Sequence, residues 1–143
     1  MENDILNLTK EGFGLKDMTP EEVSPLILAH IGDAIYEVVV RTIVLSGGNK
    51  PINLVHRDSI KFVNARTQAD LAEILQEEFT QEEAVQYRRG KNAKPKTSAK
   101  NATLQEYHVA TGLEAVMGFL YLKGKNDRII ELCKLGFKKL GLV

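Results

Sequence analysis

Residues 23–45, VSPLILAHIGDAIYEVVVRTIVL, form the longest apolar run in the chain, and it holds only three full charges, Asp33, Glu37 and Arg41, beside His30. The run is too long for a strand, whatever the pull of its β-branched cluster Val38-Val39-Val40. The charges break it too often for a membrane-spanning helix. What remains is a main helix from about Pro25 to Ser46, ended by Gly47-Gly48. One residue in it asks for an explanation. Asp33 is an acid in a greasy segment, directly after a glycine, and a buried carboxylate without a partner is costly.

Helical signals dominate the rest. Thr19-Pro20-Glu21-Glu22 reads as a capping box before a short turn. Pro51 opens an amphipathic stretch to about Glu78, with Leu54, Val55, Phe62, Val63, Ala65, Ala69, Ala72 and Leu75 at helical spacing and a break marked by Asn64. Thr80-Gln81-Glu82-Glu83 caps a short helix toward Arg89, residues 90–102 read as a loop, and Thr103-Leu104-Gln105-Glu106 caps a helix to about Lys123. Gly124 stops that helix, and a last one runs from about Asn126 to Leu140. No strand stands out. The expected class is all-α, a helical bundle in a single domain over residues 1–143.

His30, Asp33, Glu37 and Arg41 make one polar stripe on the main helix, and Glu37 and Arg41 suit an i,i+4 ion pair. That pairing leaves Asp33 unexplained. The helix predicted over 103–123 repeats the combination of acid and glycine, with Gly112, Glu114 and Gly118. If the two helices cross at their glycines, Asp33 and Glu114 meet. Two adjacent carboxylates repel unless they share a proton or a cation, and oxygen ligands call for a hard cation such as Mg²⁺ or Mn²⁺. Glycines that serve only close packing, with acids facing solvent, are the plainer alternative. The three histidines show no zinc spacing, there is no Walker-type loop, and Cys133 sits among Ile130, Leu132 and Leu135 as a core thiol.

The net charge of zero hides an asymmetry. Residues 70–83 hold six acids and no base; residues 84–105 hold six bases, Arg88, Arg89, Lys91, Lys94, Lys96 and Lys100, and no acid. With Asn92 and Gly90 among them, these bases suit a loop that grips phosphates. A solvated loop without a ligand is the alternative. One cysteine permits no internal disulfide and the N-terminus lacks an apolar signal region, which fits a reducing, cytoplasmic setting. These features alone leave two readings, a metal-dependent enzyme acting on nucleic acid or a helical nucleic-acid-binding module without catalysis.

The motifs narrow the choice. IGDAIYEVVVR resembles the signature helix of the ribonuclease III family, GLEAVMGFLYL resembles its second motif, and HRDSIKFVNARTQADLAEIL is similar to the helices between them. The likeness covers about residues 22–140 and leaves no room for a double-stranded-RNA-binding domain. With RRGKNAK it is similar to the reduced, Mini-ribonuclease III branch. The resemblance implies Asp33 as the catalytic aspartate and Glu114 as the metal-binding glutamate. It implies Mg²⁺, with Mn²⁺ as a substitute, and hydrolysis of double-stranded RNA leaving 5′-phosphates, with the 23S ribosomal RNA precursor as natural substrate. It implies a homodimer through a face that includes His30, with a ribosomal protein as a candidate further partner and no membrane contact. Two acids of the larger family are missing here, replaced by Ala29 and Thr111.

Overall fold

A computed structural model describes residues 4–93 and 103–143. Among the described residues the chain forms seven α-helices, one 3-10 turn at Pro20–Glu22 and no strand. The helices are α1 (Ile5–Phe13), α2 (Pro25–Leu45), α3 (Ile52–Val63), α4 (Ala65–Leu75), α5 (Gln81–Lys91), α6 (Leu104–Leu122) and α7 (Asn126–Lys139). The all-α class is the one expected. No helix among the described residues is long and apolar enough to cross a membrane.

The capping boxes at Thr80 and Thr103 are both closed. Each hydroxyl accepts from the backbone N–H three residues on, at 3.2 and 3.0 Å, and Glu83 and Glu106 accept the return bonds at 2.9 and 3.2 Å. The box expected at Thr19 does not form; Thr19 makes no side-chain cap. The Glu22 N–H, which a box would use, donates instead to the Thr19 carbonyl at 2.9 Å, and Pro25, which drives Ser24 out of the helical region to φ −56°, ψ 139°, keeps the turn from continuing into α2. The break at Asn64 is present: this residue ends α3 and caps α4, its side chain accepting from the Thr67 N–H at 2.8 Å.

Two elements differ from the sequence reading. Helix α5 runs on through Gly90 and Lys91, which were expected in the loop. Helix α1 was not anticipated; it buries no residue, and Ile5, Leu8 and Phe13 are exposed.

Helix α6 is the hub. Eleven of its nineteen residues are buried, on all sides, as an apolar rod surrounded by other helices must be. Helices α2, α4 and α5 pack along it. Tyr36 and Phe62 each meet Phe137 edge to face, and the Tyr36 hydroxyl donates to the Phe62 carbonyl at 2.6 Å. Cys133 is a core thiol, its pKa pushed up to about 12 by burial. Arg128 on α7 clamps the start of α5, donating to both carboxylate oxygens of Glu83 at 2.9 Å and to the Glu78 carbonyl at 2.7 Å.

Candidate functional site

Helices α2 and α6 cross at two glycines. A Cβ on Gly32 would overlap the Glu114 carbonyl oxygen and stand 2.7 Å from the Gly118 nitrogen; one on Gly118 would overlap the Leu28 carbonyl oxygen. The helices touch backbone to backbone, which only residues without a side chain allow. The crossing brings together the acids beside those glycines. Asp33 stands exposed and Glu114 half-buried at this seam, close enough for the Asp33 charge to act on the Glu114 carboxyl.

Glu114 registers the crowding. Burial, then the contact with Asp33, pushes its pKa up to about 9; a hydrogen bond from Gln68 works against this, and the charge of Glu37 adds a smaller upward push. A carboxyl in this state keeps its proton at neutral pH or takes a cation in its place. Among the described residues no three His, Cys, Asp or Glu side chains gather as a ready ligand cluster. The seam offers a pair of oxygen donors, open on the Asp33 side.

The neighbouring positions are closed. Ala29 and Thr111 are each 6% exposed. The Thr111 hydroxyl donates to the Tyr107 carbonyl at 2.9 Å, so it is used within its own helix. Glu37 pairs with Arg41 at 2.9 Å, as its spacing suggested.

The basic segment begins next to this seam. Helix α5 crosses α6 where Gly90 meets Gly112; a Cβ on Gly90 would stand 2.7 Å from that of Ala115 and 3.0 Å from the Thr111 carbonyl oxygen. That contact explains why α5 continues through Gly90. Arg88 and Asn92 are exposed and Lys91 is half-buried. Arg89 turns inward, donating to Gln86 at 2.7 Å and to the carbonyls of Val23 and Glu21 at 3.1 and 3.4 Å, which ties α5 to the segment before α2. Lys94, Lys96 and Lys100 lie outside the described residues. His30 is exposed on the outer face of α2, on the side where Ile27 and Val38 are 60% and 62% exposed.

Sequence reasoning missed Gln68. It is 5% exposed on α4, which packs on α6, and it lowers the pKa of Glu114 against the larger upward push of burial. The signal was available: Gln68 lies in line with Ala65, Ala72 and Leu75, a polar residue within an apolar stripe.

Known proteins resemble this chain in sequence and in fold. Residues 26–125 match the family model of the Ribonuclease III domain. Curated relatives called Mini-ribonuclease 3 include one from Clostridium tetani, 40% identical over 87% of this chain and 82% of the relative. Another, from Enterococcus faecalis, is 43% identical over 85% of this chain and 93% of the relative. A third, from Staphylococcus aureus, is 46% identical over 77% and 84%. A crystal structure of a Fusobacterium nucleatum protein superposes with a TM-score of 0.77 at 32% identity, covering 86% of this chain and 98% of that one.

Proposed function

The chain belongs to the ribonuclease III family and is an endoribonuclease; from that premise we propose that it hydrolyses double-stranded RNA with Mg²⁺ held between Asp33 and Glu114. The observation that carries the proposal is the carboxyl pair at the glycine crossing, where burial and mutual repulsion make Glu114 costly to ionise without a cation. The donor set fits magnesium, which keeps several waters and takes one or two carboxylates besides substrate phosphates. Manganese, with the same preference for oxygen, is the expected substitute.

Such a cation supplies acidity to a bound water and stabilises charge on the phosphate and the leaving oxygen. The chain's own residues do the rest. Asp33, exposed at the rim, reaches toward the substrate side, and Glu114 holds the position from beneath. Ala29 and Thr111 provide no further carboxylate. An A-form duplex hides its bases in a deep groove, so its recognition rests on shape and backbone contacts. Arg88, Lys91 and Asn92, at the end of α5, grip that backbone, together with Lys94, Lys96 and Lys100 of the following segment. Arg89 supports them by fixing α5 to the start of α2.

The exposed apolar side of α2 around His30 supports a homodimer, which would set two such sites along one duplex. Kinship with the Mini-ribonuclease 3 proteins is the support for the 23S ribosomal RNA precursor as the natural substrate, with a ribosomal protein as a candidate partner, and for work in the cytoplasm. The test is a plain RNA duplex incubated with the protein in Mg²⁺ and in chelator. Cutting in Mg²⁺ alone, with 5′-phosphate ends, is the expected result. Binding without cutting would return the reading to a non-catalytic RNA-binding module, and cutting in chelator would remove the metal from it.

A further inference from the structure

We propose that Arg89 is a positioning residue of the reaction: its guanidinium ties the RNA-gripping end of α5 to the segment leading into α2, and so sets the tilt at which α2 carries Asp33 to the seam. This rests on the reading of Asp33 and Glu114 as the reactive pair and of the end of α5 as the grip.

Arg89 sits among the bases of α5 but is not placed as they are. Arg88 is exposed, whereas Arg89 is half-buried and both its Nη atoms are engaged. Nη2 donates to the Val23 carbonyl at 3.1 Å; Nη1 donates to the Gln86 side-chain oxygen at 2.7 Å and to the Glu21 carbonyl at 3.4 Å. Both carbonyls precede the α2 ladder, whose first bond runs from the Leu28 N–H to the Ser24 carbonyl at 2.9 Å. Gln86 is 3% exposed, and a buried amide is costly unless it is hydrogen-bonded; here its oxygen aims the guanidinium. The planar fork of an arginine presents its donors in fixed directions, where a lysine offers a single point charge.

The tie acts on a crossing. Helices α2 and α6 touch backbone to backbone at Gly32 and Gly118. That contact fixes where they meet, and their tilt is set by what holds them away from it. The start of α2 at Pro25 lies about two turns before Gly32. Val23, just ahead of it, is held by Arg89 on α5, which is itself seated on α6 where Gly90 meets Gly112. The three helices thus close a triangle, and the α2–α5 corner includes a side-chain clasp. The Glu21 carboxylate also accepts from Lys123 Nζ at 2.8 Å, but that pair is exposed and such pairs contribute little. A misplacement of about 1 Å, even one caused far from the chemistry, costs roughly 100-fold in rate. Loss of the clasp is therefore felt in the rate and not in binding.

The experiment compares wild type with Arg89→Lys, Arg89→Met and Gln86→Leu, at a temperature where melts show all of them folded. Duplex binding in Ca²⁺ is followed across a range of salt, and single-turnover cleavage is measured in Mg²⁺ at saturating RNA. All three variants should cut slower by about tenfold or more while binding within about twofold of wild type, with an unchanged salt slope. Failure of the lysine variant to restore the rate is part of the expected result, since it keeps the charge and loses the fork. An Arg89→Met protein that binds weakly, with a salt slope shallower by about one unit and a preserved rate at saturating RNA, would make Arg89 a phosphate contact and overturn the inference. Folded variants that match wild type in both rate and binding would also overturn it. If Asp33→Asn cuts at the wild-type rate, the reading of the seam falls and takes this inference with it.

Discussion

Glu114 is the residue on which the chemistry turns. Its metal-free pKa of about 9 lies above its ordinary value of 4.5. A group raised in this way favours the folded state fully below the unfolded value and loses that contribution as pH climbs through the folded one. In chelator, the melting temperature should therefore decline between about pH 4.5 and pH 9, and Glu114→Gln should flatten that decline. Stabilisation by added Mg²⁺ should grow across the same window, because the cation must displace the proton. Equal slopes for wild type and Glu114→Gln in thermal melts would show that Glu114 is not the titrating group. The meeting of Asp33 and Glu114 was legible in the sequence because each acid stands near a glycine in a helix with no other use for one. Gln68 was not read, because a single glutamine in an apolar stripe resembles ordinary tolerance until the carboxyl facing it is seen.

At the scale of elements, the α2–α6 crossing decides whether there is a site. Gly32→Ala and Gly118→Ala each put a methyl group onto a backbone carbonyl of the opposite helix, where no flexible side chain can move aside. Overpacking usually costs about 1–3 kcal/mol, and these two should reach or pass the upper end, since both helices must separate. Urea denaturation checks it; a loss below about 1 kcal/mol for both would mean the helices do not touch there. Most helix boundaries were readable from local chemistry. The threonine boxes, the Asn64 break and Gly124, with its left-handed φ of 74°, act within a turn of their own position. The miss at Gly90 has a tertiary cause: helix α5 continues through it because α6 receives it. Helix α1 did carry local signals, the Asp4 cap and Gly14 at a left-handed φ of 60°, and they went unread.

The whole molecule shows two faces: a greasy outer side of α2 around His30, and a basic end of α5 beside the carboxyl seam. The first should bring two copies together, so sedimentation at micromolar concentration should give about twice the 15.9 kDa chain mass. Val38→Glu, which sets a charge on the exposed 62% of that side chain, should shift it toward a monomer; a wild type that is already monomeric would remove the dimer. The second face should make duplex binding fall with salt, by roughly one unit of log–log slope for each phosphate contact, if duplex RNA behaves like B-DNA. The most direct measurement separates the pair from the grip: duplex binding in Ca²⁺ and single-turnover cleavage in Mg²⁺, for Asp33→Asn and for Arg88→Ala with Lys91→Ala. The Asp33→Asn protein should bind within a few-fold of wild type and cut slower by orders of magnitude, while the double variant should bind weakly with a shallower salt slope yet keep much of its rate at saturating RNA. An Asp33→Asn protein that cuts at the wild-type rate would contradict the assignment of the metal to the Asp33–Glu114 seam.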